Sequence, residues 1–271
     1  MPDSAPVATP GPLDAYAPAQ VARLVEAVGI RKAQLPVLPT VMLAILAGAF
    51  ISFGACFYTI VTTDSGLGTG PTRLLGGLAF SLGLILVIVG GAELFTGNSL
   101  IVMAWAQRDI TLAALLRNWG LVFAGNFAGA VATAAAIAWS GVLGSPALVN
   151  AVLRIAETKL TLDPVSAFGR GVLCNVLVCL AVWLCFAARS VSDKVLVIPL
   201  PIAAFVALGF EHSVANMFFL PMAWMLGANG VSLATLMANL LPVTVGNVVG
   251  GGVLVAGVYW AIYLRPGNAR H

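Results

Sequence analysis

Three side chains able to carry a charge near neutral pH stand well inside the long apolar runs of this chain: Glu93, Glu211 and His212. A charge at membrane depth costs several kcal/mol by most scales, so each is a functional candidate by default. His212 could exchange a proton near neutrality, since a free imidazole titrates at about 6.5. It is one of two histidines, the other being the last residue, His271. The reading is that His212 lines a pathway; the bland alternative is a satisfied core histidine. Both carboxylates fall where the apolar pattern breaks. Glu93 lies between Gly90-Gly91-Ala92 and Thr96-Gly97-Asn98, and Glu211 follows Gly209-Phe210. A carboxylate at a helix break can accept hydrogen bonds from freed backbone N–H groups. That structural role is expected for Glu93 and Glu211, with Asn98 and Asn216 at the same breaks.

Other chemistries find little support. His212 has no second histidine within a helical turn, and the chain contains no HExxH, so no metal site is expected. Ser213 follows His212, but there is no GxSxG elbow. The glycines from Gly246 to Gly252 lack the lysine of a phosphate loop and read better as positions of close helix packing. Cys56, Cys174, Cys179 and Cys185 lie in apolar runs without CxxC spacing and read as packing residues. No cofactor is implied.

The elements that must position these residues are membrane helices. Of 271 residues, 60% are hydrophobic and 8% charged, where a soluble domain carries roughly 25% charged residues. A net charge of +3, spread thinly, gives no footprint for nucleic acid. Six apolar stretches, at about 40–62, 74–106, 116–140, 167–188, 195–226 and 236–264, approach the roughly 20 residues that cross a bilayer. The second and fifth are interrupted at Glu93 and Glu211, and a backbone that leaves the helix at membrane depth must be buried or line a cavity. Residues 1–38 read as an N-terminal tail: 1–15 without structure and not a signal peptide, so expected to be retained, then an amphipathic helix over 17–34. In that helix Val21, Leu24, Val25 and Val28 share a face that leaves out Arg23, Glu26, Arg31 and Lys32. It is expected at the membrane surface or against a neighbouring subunit. Residues 39–265 read as the six-span transmembrane domain and 266–271 as a cytoplasmic C-terminal tail. With both termini in the cytoplasm, nine Lys and Arg residues face inward and four (Arg73, Arg154, Lys159 and Arg170) outward, which favours that orientation.

The halves repeat. Asn118 to Gly129 resembles Asn239 to Gly250 at a constant shift of 121 residues, and Glu93 and Asn98 match Glu211 and Asn216 at a shift of 118. Three spans per half force the second to enter from the opposite side. The expectation is an inverted-topology repeat, about 40–140 and 167–264, with paired broken helices.

At these breaks the sequence resembles the formate–nitrite transporter family. The resemblance is carried by Ala92-Glu93-Leu94-Phe95-Thr96-Gly97-Asn98, by the run Cys174 to Trp183, by Phe210-Glu211-His212-Ser213-Val214-Ala215-Asn216-Met217, and by the run Asn239 to Asn247. It implies an all-α, aquaporin-like six-span fold with broken second and fifth helices, assembled as a homopentamer with one pore per subunit. It also implies that Leu84 and Leu94 form a cytoplasmic constriction, with Thr96 in a loop beside it, and that Phe80 and Phe205 form an aromatic one. His212 resembles the central pore histidine, Asn175 its polar neighbour, and Lys159 a vestibule lysine that attracts anions. The implied setting is a prokaryotic inner membrane, among lipids. Asn98, and Pro242 before Val243-Thr244, look more like formate-type than nitrite-type members.

The function expected is passage of small monovalent anions, formate foremost, with nitrite or hydrosulfide as alternatives. His212 is expected either to give the anion a proton or to lend it charge or a hydrogen bond. An aquaporin-type channel should carry Asn-Pro-Ala boxes, and this chain has no Asn-Pro dipeptide. An intramembrane enzyme would need a catalytic partner beside His212 or Glu93, and only the two carboxylates are on offer.

Overall fold

The computed structural model describes residues 15–265; the expectations for residues 1–14 and for the tail 266–271 lie outside them. The described residues are helical throughout, with no strand among them. The helices are α1 (Pro18–Gln34), α2 (Val37–Thr62), α3 (Thr69–Gly90), a 3-10 turn (Gly97–Ile101), α4 (Val102–Ala106), α5 (Leu112–Ser140), α6 (Pro146–Leu160) and α7 (Pro164–Ala187). There follow α8 (Val191–Val197), α9 (Pro199–Ala207), α10 (Ser213–Met225), α11 (Leu233–Val248), a π-helical segment (Val249–Gly257) and α12 (Val258–Tyr263).

Polarity is distributed inside out. Large apolar side chains such as Leu38, Val165, Leu200 and Leu233 face outward, while Asn118, Asn126, Asn175, Asn216, Asn239 and Asn247 are buried. A bilayer offers no hydrogen bonds, so polar groups must find partners inside the protein. Five helices are long and apolar enough to cross a membrane: α2, α3, α5, α7 and the continuous Leu233–Tyr263. The predicted fifth span, 195–226, is instead divided among α8, α9 and α10, none long enough alone. The predicted second span divides after α3, which is long and apolar enough to cross by itself. Both breaks begin on a glycine in the left-handed region, Gly91 at φ 78° and Gly209 at φ 71°. A side chain there would be strained, so glycine fixes where each helix stops.

Close approach of backbones sets the scaffold. A methyl group on Gly129 would run into the Ile45 carbonyl of α2, and one on Gly250 into the Val172 carbonyl of α7. The α2–α5 crossing and that of α7 with the π-helical continuation of α11 are thus the same contact built twice. Small residues allow it, as in other membrane helix pairs.

Two elements make contacts that the span pattern does not foretell. Helix α1 packs against its own chain: Val21, Ala22 and Val25 are buried with Leu100, Met103, Trp183 and Val255. Its Lys32, which the sequence pattern leaves off the apolar face, turns inward to Glu93, with Nζ 2.8 Å from Oε1. Helix α6, which the span pattern passes over, brings Lys159 to Glu211 at 3.0 Å. The correspondence between halves therefore reaches beyond 40–140 and 167–264 to include α1 and α6.

Candidate substrate pathway

Each break is held by one asparagine from the neighbouring long helix. Asn126 accepts from the Phe95 N–H at 2.9 Å and donates to the carbonyls of Ala44 and Glu93. Asn247 accepts from the Ser213 N–H at 2.9 Å and donates to the carbonyls of Gly171 and Glu211. These side chains take up backbone groups that the broken helices leave free, which would otherwise stand unpaired in an apolar interior.

The carboxylates do something else, which corrects the expectation that they cap backbone N–H groups. Glu93 accepts from Lys32 and, at 2.7 Å, from Asn98; Asn98 also donates to Asn118, and Asn118 to the Lys32 carbonyl. Glu211 accepts from Lys159 and, at 2.7 Å, from Asn216; Asn216 donates to Asn239, and Asn239 to the Lys159 carbonyl. Each break thus carries a closed Lys–Glu–Asn–Asn circuit. In each circuit a cation and an amide share one buried carboxylate, so its oxygens are not left without donors. The circuits differ in one bond. Lys32 also donates to Asn98 Oδ1 at 2.9 Å, whereas Lys159 donates to both oxygens of Glu211 and leaves Asn216 Oδ1 without a partner among the described residues.

His212 is the N-cap of α10. Its Nδ1 accepts the Ala215 N–H at 3.1 Å, so the ring proton sits on Nε2, which lies 2.9 Å from Thr96 Oγ1. The ring stacks on Phe205 with centroids 5.9 Å apart, and Phe205 meets Phe80 edge-on at 5.7 Å. Asn175 is fully buried one layer away, its amide donating to the carbonyls of Thr96 and Asn247 and to Ser99 Oγ. The π-helical segment starts two residues after Asn247. π-bulges often mark functional sites, and here a side chain on Gly251 would collide with Asn175, Cys179 and Ser99. The four cysteines are buried thiols, Cys179 contacting the Thr96 carbonyl at 3.4 Å.

Two cavities with no lining residue in common flank this group. One, of about 230 Å³, lies beneath α1 and is lined by Leu84, Leu94, Lys32, Glu93 and Lys194 among others. The other, of about 300 Å³, is lined by Phe80, Phe205, His212, Lys159 and Glu211, with Arg73 and Arg170 at its rim. Leu84 and Phe80 are one turn apart on α3, about 6 Å along its axis. The structure therefore brings together Leu84 with Leu94, Phe80 with Phe205, and His212 with Thr96.

A family model described as formate/nitrite transporter matches residues 19–261. The chain belongs to that family. It is 42% identical to the formate channel FocA of Escherichia coli over 278 residues, which cover 95% of this chain and 98% of that one. A probable formate transporter of Methanothermobacter thermautotrophicus is 39% identical, over 92% and 97% of the two chains. Among solved structures, a pentameric formate channel with formate bound matches at a TM-score of 0.76 and 41% identity, over 84% of this chain and 98% of that one. A second, described as an FNT family ion channel, gives 0.82 and 30%, over 89% and 98%. The protein is thus a multi-pass membrane protein of a transporter family, which leaves the enzyme alternative without support.

Reading the sequence alone passes over several residues of this site. Asn118, Asn126, Asn239 and Asn247 stand in the repeated motif but receive no role there. The signal was available: amides recurring at equivalent positions of apolar spans need partners, and the nearest free backbone is at the breaks. Lys32 was hidden because a lysine on an amphipathic helix ordinarily faces water.

Proposed function

We propose that this chain is one subunit of a homopentamer in a prokaryotic inner membrane, with six crossings in two inverted repeats and both termini cytoplasmic. Each subunit passes small monovalent anions, formate foremost. The observation that carries this reading is the pair of separate cavities divided by an apolar and aromatic collar. Leu84, Leu94, Phe80 and Phe205 form the collar, and the Thr96–His212 contact is the polar pair within it. Such a collar excludes bulky and hydrated ions, and the polar pair gives a desolvated carboxylate a hydrogen-bond donor. The family and the solved pentameric formate channel support the substrate and the assembly.

The cap geometry bears on how His212 acts. To hand over a proton and remain a neutral ring, His212 must first be protonated on both nitrogens, and Nδ1 is committed to the Ala215 N–H. The reading it favours is a neutral imidazole whose Nε2–H turns from Thr96 Oγ1 to a passing carboxylate oxygen. In that role Thr96 holds the donor in place between passages, and Asn175 fixes the Thr96 backbone.

Flux measured in proteoliposomes with formate, nitrite, hydrosulfide and glycerol tests the function. Formate should move fastest and glycerol not at all. Faster nitrite or hydrosulfide would assign another substrate within the family, and glycerol flux without anion flux would overturn the anion reading.

A further inference from the structure

The two cavities contain more positive than negative side chains, and the ion pairs show which charges are left over. In the cavity bounded by Phe80 and Phe205 the charged lining residues are Arg73, Lys159, Arg170 and Glu211. Lys159 gives its ammonium to both oxygens of Glu211, at 3.0 and 3.1 Å, and its side chain is only 13% exposed. A lysine so paired presents little net field to an approaching anion, because the opposite charge sits one hydrogen bond away from it. Arg73 and Arg170 are different. No carboxylate among the described residues pairs with either. Each spends one donor on a backbone carbonyl: Arg73 Nη1 reaches Ala207 O at 3.2 Å and Arg170 Nη1 reaches Gly209 O at 3.4 Å.

Those carbonyls identify the task. Ala207 ends α9 and Gly209 begins the break that leads to His212. The exposed carbonyls of a helix C-terminus carry partial negative charge, which at this mouth would repel an anion. One guanidinium on each carbonyl reverses the sign. A guanidinium has five donors in a planar fork that matches a carboxylate, so four remain on each arginine once the carbonyl is served.

We infer that Arg73 and Arg170, not the neutralised Lys159, capture the anion at this mouth of the pore and deliver it to the Phe80–Phe205 collar. The preferred ligand is a small planar monocarboxylate, which the guanidinium fork takes bidentately. The inference rests on the anion-channel reading and adds the residues that set capture.

Formate flux into proteoliposomes, measured at low substrate across a series of ionic strengths set by an impermeant sulfate salt, tests it. The parent should slow as salt screens the mouth. In Arg73→Gln/Arg170→Gln the low-salt flux should fall about three- to tenfold and the salt dependence should flatten, since steering by focused charge is what is removed. Pentamer mass and melting temperature should stay those of the parent. Arg73→Lys/Arg170→Lys should recover the salt dependence and part of the flux. Should the double Gln variant fail to assemble, the Lys variant and each single Gln variant carry the same comparison. An assembled Gln variant with parental flux and parental salt slope overturns the inference while leaving the channel reading intact. A parent that moves no small anion overturns both.

Discussion

Asn126 and Asn247 do the same work at the two helix breaks, whereas Leu94 and His212, equally matched in position, do not. The matched set is large. Lys32 and Lys159, Glu93 and Glu211, Asn98 and Asn216, Asn118 and Asn239, Gly91 and Gly209, and Gly129 and Gly250 recur at equivalent places in each half, with one hydrogen bond of the circuits differing. Among the many positions where the halves part company, three polar ones lie close together. His212 stands where the first half has Leu94, Asn175 where it has Gly48, and Thr96 where the second half has Val214. These three unmatched polar residues meet through the Thr96–His212 bond and the Asn175–Thr96 bond. The comparison teaches a division of labour: what repeats holds two broken helices open, and what does not repeat makes a polar spot in the collar between them.

If that division is right, the largest effects come from breaking a matched residue. Asn126→Ala strands the Phe95 N–H and the Glu93 carbonyl, and Asn247→Ala strands the Ser213 N–H and the Glu211 carbonyl. At about 1–3 kcal/mol for each buried group left unpaired, either change takes much of a stability that is typically about 5–15 kcal/mol. Both variants should lose most assembled protein, and to a similar degree, as read by size-exclusion chromatography of detergent extracts. One variant folding normally while the other collapses would break the equivalence.

A smaller, sharper effect is expected at an unmatched position. Thr96→Val gives the first half the residue its partner already has at Val214, removing the acceptor of the His212 Nε2–H with little change in shape. Assembly should hold, with at most the stability cost of one unpaired buried donor, while formate flux falls by about tenfold, the worth of one hydrogen bond of about 1.4 kcal/mol. Equal losses of stability and flux would place Thr96 with the scaffold.

The smallest effect concerns α1, whose Glu26 has its carboxyl raised from 4.5 to about 7 by burial, by a hydrogen bond with Asp109 and by that residue's charge. A carboxyl that binds its proton more tightly when folded stabilises the fold fully below about 4.5 and loses that contribution as pH climbs through about 7. Glu26→Gln keeps the hydrogen bond without the charge. Its melting temperature should therefore change less than the parent's between pH 5 and pH 8, by about 1–2 °C for a half-exposed group. An identical pH trend in the two proteins would remove Glu26 from that balance.

Much of this architecture could be read from the chain. Long apolar runs interrupted by Gly-Gly-Ala-Glu and Gly-Phe-Glu-His declare broken membrane helices, because nothing else needs glycine and a carboxylate in mid-bilayer. The repeat showed in the asparagines at a constant shift. What was hidden is long-range: the partner of Glu93 is 61 residues earlier and that of Glu211 is 52 residues earlier, and no local pattern links them. Helix α6 escaped because its 15 residues are too few to cross a membrane, although Ser145 and Pro146 are a proper helix start. The π-helical segment left only a run of glycines, which close packing explains equally well.

The central claim is that the unmatched His212 serves passage rather than folding, and His212→Asn tests it most directly. Asparagine is a good N-cap, so the Ala215 N–H keeps an acceptor, while the Nε2–H that faces Thr96 is gone. Formate flux should be measured on protein first shown to be pentameric and to melt within a few degrees of the parent. A hydrogen bond to a charged carboxylate, worth about 1.5–3 kcal/mol, predicts a loss of about ten- to a hundredfold, with the pH profile of the residual flux unchanged. An abolished pH profile would point instead to proton transfer through the ring. An assembled His212→Asn pentamer that carries formate at the parental rate would contradict the account.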